Sequence, residues 1–172
     1  MIGMTCPTCG VKGHRIKQLT VDSLAQDTVL SRLQTREGFG YCPTPTCPVA
    51  WFQPQTGEMV DKSELKVRVG MKEISDPRPI CYCFGHDAAE FEKEIQDTGQ
   101  SRIPATIAAK CKQGLDRCEE TNPQGSCCLG NVNRVIKAAQ QEMEPTPATA
   151  NPFAMAGDQD CCANAEKGGT DD

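Results

Sequence analysis

The sequence predicts an α+β protein in three parts: a small β-rich module, a small helical module and a disordered acidic tail. Three observations carry this. Cysteines in the first third are punctuated by Pro and Gly, apolar residues recur at helical spacing from residue 87 to residue 143, and the stretch from residue 144 is poor in apolar content. Modules this small bury a low fraction of their surface and need a staple. Twelve cysteines in 172 residues can supply it.

Within residues 1–76, Pro7, Gly10, Gly13, Pro43, Pro45 and Pro48 discourage helix around the cysteines. Phe39 and Tyr41 alternate, as do Val49 and Trp51, which predicts two paired short strands over one small core. A helix is expected between them around residues 22–34, with Leu24, Val29, Leu30 and Leu33 apolar. Asp61 and Glu64 read as a capping box that opens a short helix to about Val69, closed by Gly70. Two prolines, Pro77 and Pro79, make a stiff extended connector, and the boundary is placed there.

Residues 77–143 read as helical. A first helix is expected over residues 87–98, stopping at Gly99, and a second opens with Pro104 in its first turn and runs to about Lys112. A third, over residues 128–143, carries a stripe of Leu129, Val132, Ile136 and Ala139 that would face the other two. Residues 144–172 cannot bury enough surface to offset their ordering entropy and are expected to be disordered.

The net charge of −5 is uneven: residues 140–172 hold seven acids and one lysine (−6), which leaves +1 for the body. Without a basic stripe or much aromatic surface, nucleic-acid binding is disfavoured. Met1–Cys6 has neither a basic nor an apolar export signal, and no apolar run approaches a membrane span, so a cytoplasmic protein without membrane insertion is expected. There, closely spaced cysteines are metal ligands more often than bridges.

The first set is Cys6-Pro7-Thr8-Cys9 and, thirty-two residues on, Cys42-Pro43-Thr44-Pro45-Thr46-Cys47. Four thiolates in two knuckles make a closed tetrahedral site suited to Zn²⁺. Gly3-Met4-Thr5-Cys6 with Cys9 also resembles the Cu(I)-carrying loop of heavy-metal-associated domains, in which a helix begins at the motif; Pro7, Gly10 and Gly13 oppose that here. His14 is an alternative ligand, though a surface imidazole is the commoner role.

In the second set, Cys81-Tyr82-Cys83 puts two thiolates one residue apart, a spacing able to hold one iron of a cluster. Candidates for the partner iron are Cys111, Cys118, Cys127 and Cys128, the last three bracketing a turn at residues 122–126 whose following helix could donate amides to cluster sulfurs. His86, three residues after Cys83, is a candidate donor to a sulfur, with capping or solvation the commoner role.

Cys81-Tyr82-Cys83, Cys118, Thr121-Asn122-Pro123 and Gly125-Ser126-Cys127-Cys128 resemble the [2Fe–2S] domain related to bacterioferritin-associated ferredoxin. With the zinc-type set ahead of them and Val69-Gly70-Met71-Lys72-Glu73 between, residues 4–143 resemble the N-terminal domain of the iron–sulfur CopZ-type copper chaperones. The resemblance implies a [2Fe–2S] cluster on Cys81, Cys83, Cys118 and one of Cys127 and Cys128, with Cys128 favoured, and zinc on Cys6, Cys9, Cys42 and Cys47. Cys111 reads as a packing residue.

Two features depart from the family. Its ferredoxin relatives end their motif with two cysteines two residues apart, where this chain has a vicinal pair. The residues after 143 are also not expected to form the C-terminal copper domain of the chaperones, and Cys161-Cys162 stands in this tail instead. A vicinal dithiol suits Cu(I) or Hg(II) as cargo. The expected function is soft-metal trafficking with redox activity, possible partners being a metal-transporting ATPase or another acceptor domain and an electron donor; cluster-mediated reduction of Cu(II) would be its only enzyme-like step. The alternative is a small electron carrier or redox sensor. No Gly-rich phosphate loop or Ser–His–Asp set points to an enzyme of the usual kind.

Overall fold

The computed structural model describes residues 3–143, and these form an α+β fold. Four short strands, β1 (His14–Arg15), β2 (Gly40–Tyr41), β3 (Val49–Phe52) and β4 (Met59–Asp61), pair antiparallel in sequence order. The expected aromatic pairing is present, with Tyr41 opposite Trp51 and Gly40 opposite Phe52. Phe39, Trp51 and Val60 on this sheet bury against Val21 and Leu24 of α1 (Gln18–Leu24) and Val29 of α2 (Asp27–Arg32).

Two helix expectations need correction, and both fail for one reason. The helix expected over residues 22–34 is two helices, because Ala25 forms a β-bridge with Leu65, Gln26 N donates to Glu64 O and Lys66 N donates to Leu24 O. The same pairing draws Leu65 into extended backbone. The capping box of Asp61 and Glu64 therefore opens only a 3-10 turn, Lys62–Glu64, and no helix reaches Val69. Gly70 opens a second 3-10 turn, Gly70–Lys72, rather than closing a helix.

Beyond Pro77, β5 (Pro79–Cys81) and β6 (His86–Asp87) form a two-stranded ribbon. Asp87 caps α3 (Ala88–Thr98) through a reciprocal box with Glu90, and Gly99 closes it at φ 76°, a left-handed conformation that glycine adopts without strain. Pro104 lies in the first turn of α4 (Ile103–Lys112). A short α5 (Cys118–Thr121) precedes α6 (Leu129–Met143). The stripe on α6 packs with Phe91 of α3 and Ile107 of α4 around Val132.

Several contacts tie the two halves. Trp51 Nε1 donates to Pro123 O at 2.7 Å, His14 Nε2 lies 2.9 Å from Gln124 O, and Lys17 pairs with Glu119 at 2.5 Å. Gly70 N donates to Tyr82 Oη at 3.0 Å, and that hydroxyl donates to Arg68 O at 2.8 Å. Only glycine fits at position 70, since a Cβ there would run into the Pro79 carbonyl. Among the described residues no helix is long and apolar enough to cross a membrane.

Candidate metal centres

The first centre is made by two tight turns. In one, Gly10 N donates to Cys6 O at 2.9 Å and Cys6 N to Val11 O at 2.9 Å, so Cys6 and Cys9 share one side; Gly10, at φ 73°, permits the reversal. The other lies in the β2–β3 connection, where Cys42 N donates to Ala50 O and Cys47 N to Thr44 O. The four Sγ atoms all lie within 4.8 Å of one another. Cys6 and Cys47 are 4.0 Å apart and Cys9 and Cys42 3.5 Å. A zinc–sulfur bond of about 2.3 Å places tetrahedral ligands about 3.8 Å apart, between these two distances, so the set fits Zn²⁺ with shifts of about an ångström or less.

The environments of these thiols differ. The Thr44 hydroxyl, 3.3 Å away, and the Val11 amide pull Cys9 down to about 6, whereas burial pushes Cys47 up to about 12 and raises Cys6. His14 stands apart on β1, beside the Tyr41 ring and Gln124. The sequence reading missed Lys72. Its ammonium donates to Thr44 O at 2.6 Å and Cys47 O at 3.2 Å, inside the second knuckle. Nothing in its own neighbourhood along the chain signals a buried cation.

The second set gathers as two pairs. Cys81 ends β5 and Cys83 lies in the turn to β6; Cys118 opens α5 and Cys128 immediately precedes α6. Cys83 lies 3.5 Å from Cys118. Cys81 and Cys128 are buried in one cluster of the helical core, where the nearness of Cys128 pulls Cys81 down to about 7 and that of Cys81 raises Cys128. Each member of the Cys81–Cys83 pair thus faces a different partner. Two facing pairs suit a two-metal cluster, in which each iron takes two thiolates. A backbone amide that donates to this set, Arg117 N at 3.2 Å from Cys83 Sγ, belongs to the start of α5 rather than α6. Cys127 is exposed and Cys111 half-buried at the edge of the helical core. His86 lies opposite Cys81 in the ribbon; its Nδ1 is 3.1 Å from Glu90, and its buried Nε2 has no partner among the described residues. Cys161 and Cys162 lie outside the described residues.

A model of the CopZ-type zinc binding domain matches residues 3–66. The copper chaperone CopZ of Archaeoglobus fulgidus is 33% identical over 133 residues, which is 77% of this chain and 61% of that protein. The chain thus spans about three fifths of that relative's length. The X-ray structure of the Archaeoglobus fulgidus CopZ N-terminal domain superposes with a TM-score of 0.64 at 30% identity, covering 77% of this chain and 97% of that domain. With nearly the whole of that domain matched in sequence and fold, and with four cysteines gathered within the zinc binding match, the chain belongs to the CopZ-like family.

Proposed function

We propose that this protein is a copper-type metal-trafficking protein in which Cys6, Cys9, Cys42 and Cys47 hold a structural zinc ion and Cys81, Cys83, Cys118 and Cys128 hold a [2Fe–2S] cluster. The observation that carries the reading is the division of eight thiols into one closed tetrad and a second group, in which Cys83 faces Cys118 at 3.5 Å and Cys81 and Cys128 are buried in one cluster. The kinship with CopZ supplies the trafficking class. When bound, the cluster supplies a one-electron couple, enough to convert Cu(II) to thiophilic Cu(I). The residues around it exclude water and orient sulfur: Cys81, Cys118 and Cys128 are buried, and the Arg117 amide and Thr121 hydroxyl both reach Cys83. Cys161 and Cys162 would carry the cargo, Cu(I) or Hg(II), to an ATPase or another acceptor domain.

A second reading, a small electron carrier, is favoured by an opening of about 380 Å³ beside Cys118 and Cys127, whose rim carries Asp116, Glu119 and Glu120 alongside Arg117, with Glu119 paired to Lys17 and Glu120 to Arg117. A redox partner could approach the cluster cysteines through that opening. Metal analysis of protein purified without oxygen tests the centres: two irons, two acid-labile sulfides and one zinc per chain are expected, and colourless protein would end the cluster reading. Replacing Cys161 and Cys162 with Ser then separates the functions. Loss of one bound Cu(I) with an unchanged cluster spectrum supports trafficking, whereas unchanged Cu(I) binding moves the electron carrier ahead.

A further inference from the structure

Lys72 is 3% exposed, yet no carboxylate among the described residues pairs with it. The neighbouring Glu73 is held by Lys62 at 3.2 Å and Arg68 at 3.0 Å. The Lys72 ammonium has two carbonyl acceptors, Thr44 O and Cys47 O, and lies 5.7 Å from the centre of the Tyr41 ring. Both carbonyls belong to the β2–β3 connection that carries Cys42 and Cys47, so the ammonium sits against the four-cysteine set; burial lowers its pKa and the cysteines oppose that shift. A buried cation without a counter-charge is strongly unfavourable, and an apolar side chain of the same volume would fill the space without that penalty. A lysine at this buried position, against four cysteines, therefore points to a negative charge on that set that offsets its burial.

Four thiolates around one Zn²⁺ supply that need, because the complex carries two net negative charges in a largely buried site. We propose that Lys72 is the built-in counter-charge of the four-cysteine centre, a positioning residue that holds the Thr44–Cys47 turn and offsets one of the two charges. The inference rests on the zinc reading of that centre. The fold delivers this ammonium on fixed backbone: Lys72 N donates to Val69 O at 2.7 Å, and Lys62 Nζ donates to Lys72 O at 2.9 Å. The same 3-10 turn presents Gly70 to Pro79 and Tyr82, so retention of zinc depends on the seating of the junction between the two halves.

The test uses the full chain with three substitutions. Lys72→Gln keeps N–H donors for the two carbonyls without the charge, Lys72→Met removes both, and Lys72→Arg keeps the charge. Zinc affinity is read by competition with a chromophoric chelator, and coordination by the thiolate-to-metal absorption of the Co(II)-substituted protein. Lys72→Gln and Lys72→Met are expected to weaken zinc binding by about tenfold or more, with a four-thiolate Co(II) spectrum retained, while Lys72→Arg stays within about threefold of the native chain. If Lys72→Met fails to fold, the Gln and Arg variants still decide. Native zinc affinity in Lys72→Gln, or equal losses in the Gln and Arg variants, would overturn the charge role. A native chain that takes up no zinc would instead overturn the reading of the centre, and the inference with it.

Discussion

Replacing Trp51 with Phe tests how the sheet supports the second set of cysteines. The indole is fully buried, and its Nε1 donates across seventy-two residues of sequence to the Pro123 carbonyl, within the turn that leads to Cys127 and Cys128. Phe keeps an aromatic ring but no donor, so the carbonyl loses its partner inside the protein at a cost of about 1–3 kcal/mol. The missing ring atoms leave a gap worth roughly another 2 kcal/mol. The sum, about 3–5 kcal/mol, is a large part of the stability of a small domain. Chemical unfolding followed by far-UV circular dichroism measures it, since Trp51 is the chain's one tryptophan and fluorescence is lost with it. Phe39→Leu is the control, because it removes apolar atoms from the same core without touching Pro123. Only Trp51→Phe should also reduce hydrogen-exchange protection at Gly125, Asn131 and Val132, whose amides hold the turn and the start of α6. A Trp51→Phe cost no greater than that of Phe39→Leu, with protection unchanged, would refute the reasoning.

Two further outcomes follow from the first centre. Cys42→Ser should lower the thermal stability of the half that holds the first centre, because metal binding at such a site adds to its folding free energy on top of the apolar core; an unchanged melting temperature after zinc removal would contradict this. In metal-free protein, Cys9 at about 6 lies below its ordinary 9.0, so the fold favours the thiolate. Its contribution to stability is complete above the ordinary value and is lost as pH falls through about 6. Iodoacetamide alkylation mapped by mass spectrometry should accordingly rise through pH 6 at Cys9, and Thr44→Val should move that rise upward. Equal labelling of Cys9 and Cys47 at pH 7 would sink the prediction.

The sequence announces these elements unevenly, and the reasons are physical. Asp87, Glu90 and Gly99 bound α3 because capping is local chemistry, readable from three or four neighbouring residues. The break between α1 and α2 is not readable, since it depends on Leu65 pairing with Ala25 from forty residues away. Likewise the two cysteine sets stand out by spacing, but which thiol meets which is decided by how α5 and α6 dock, so the meeting of Cys83 with Cys118 and the burial of Cys81 with Cys128 could not be anticipated. Lys72 was missed because burial of a lysine leaves no mark in the residues beside it. α5 was missed because its four residues are too few to show a period.

The turn at residues 122–125 rests on the zinc-type half rather than on its own: Trp51 and His14 meet its carbonyls, and a side chain on Gly125 would press on Thr20 and Ile16. This has a consequence for maturation in the cell. The surface that seats the turn is made by residues whose fold is stapled by the first four cysteines, so a chain still lacking zinc presents Cys118 and Cys128 without their support. If the two sets hold zinc and a cluster as proposed, loading would be ordered, zinc before iron and sulfide, and a shortage of zinc would leave chains poorly able to receive a cluster even when iron is plentiful.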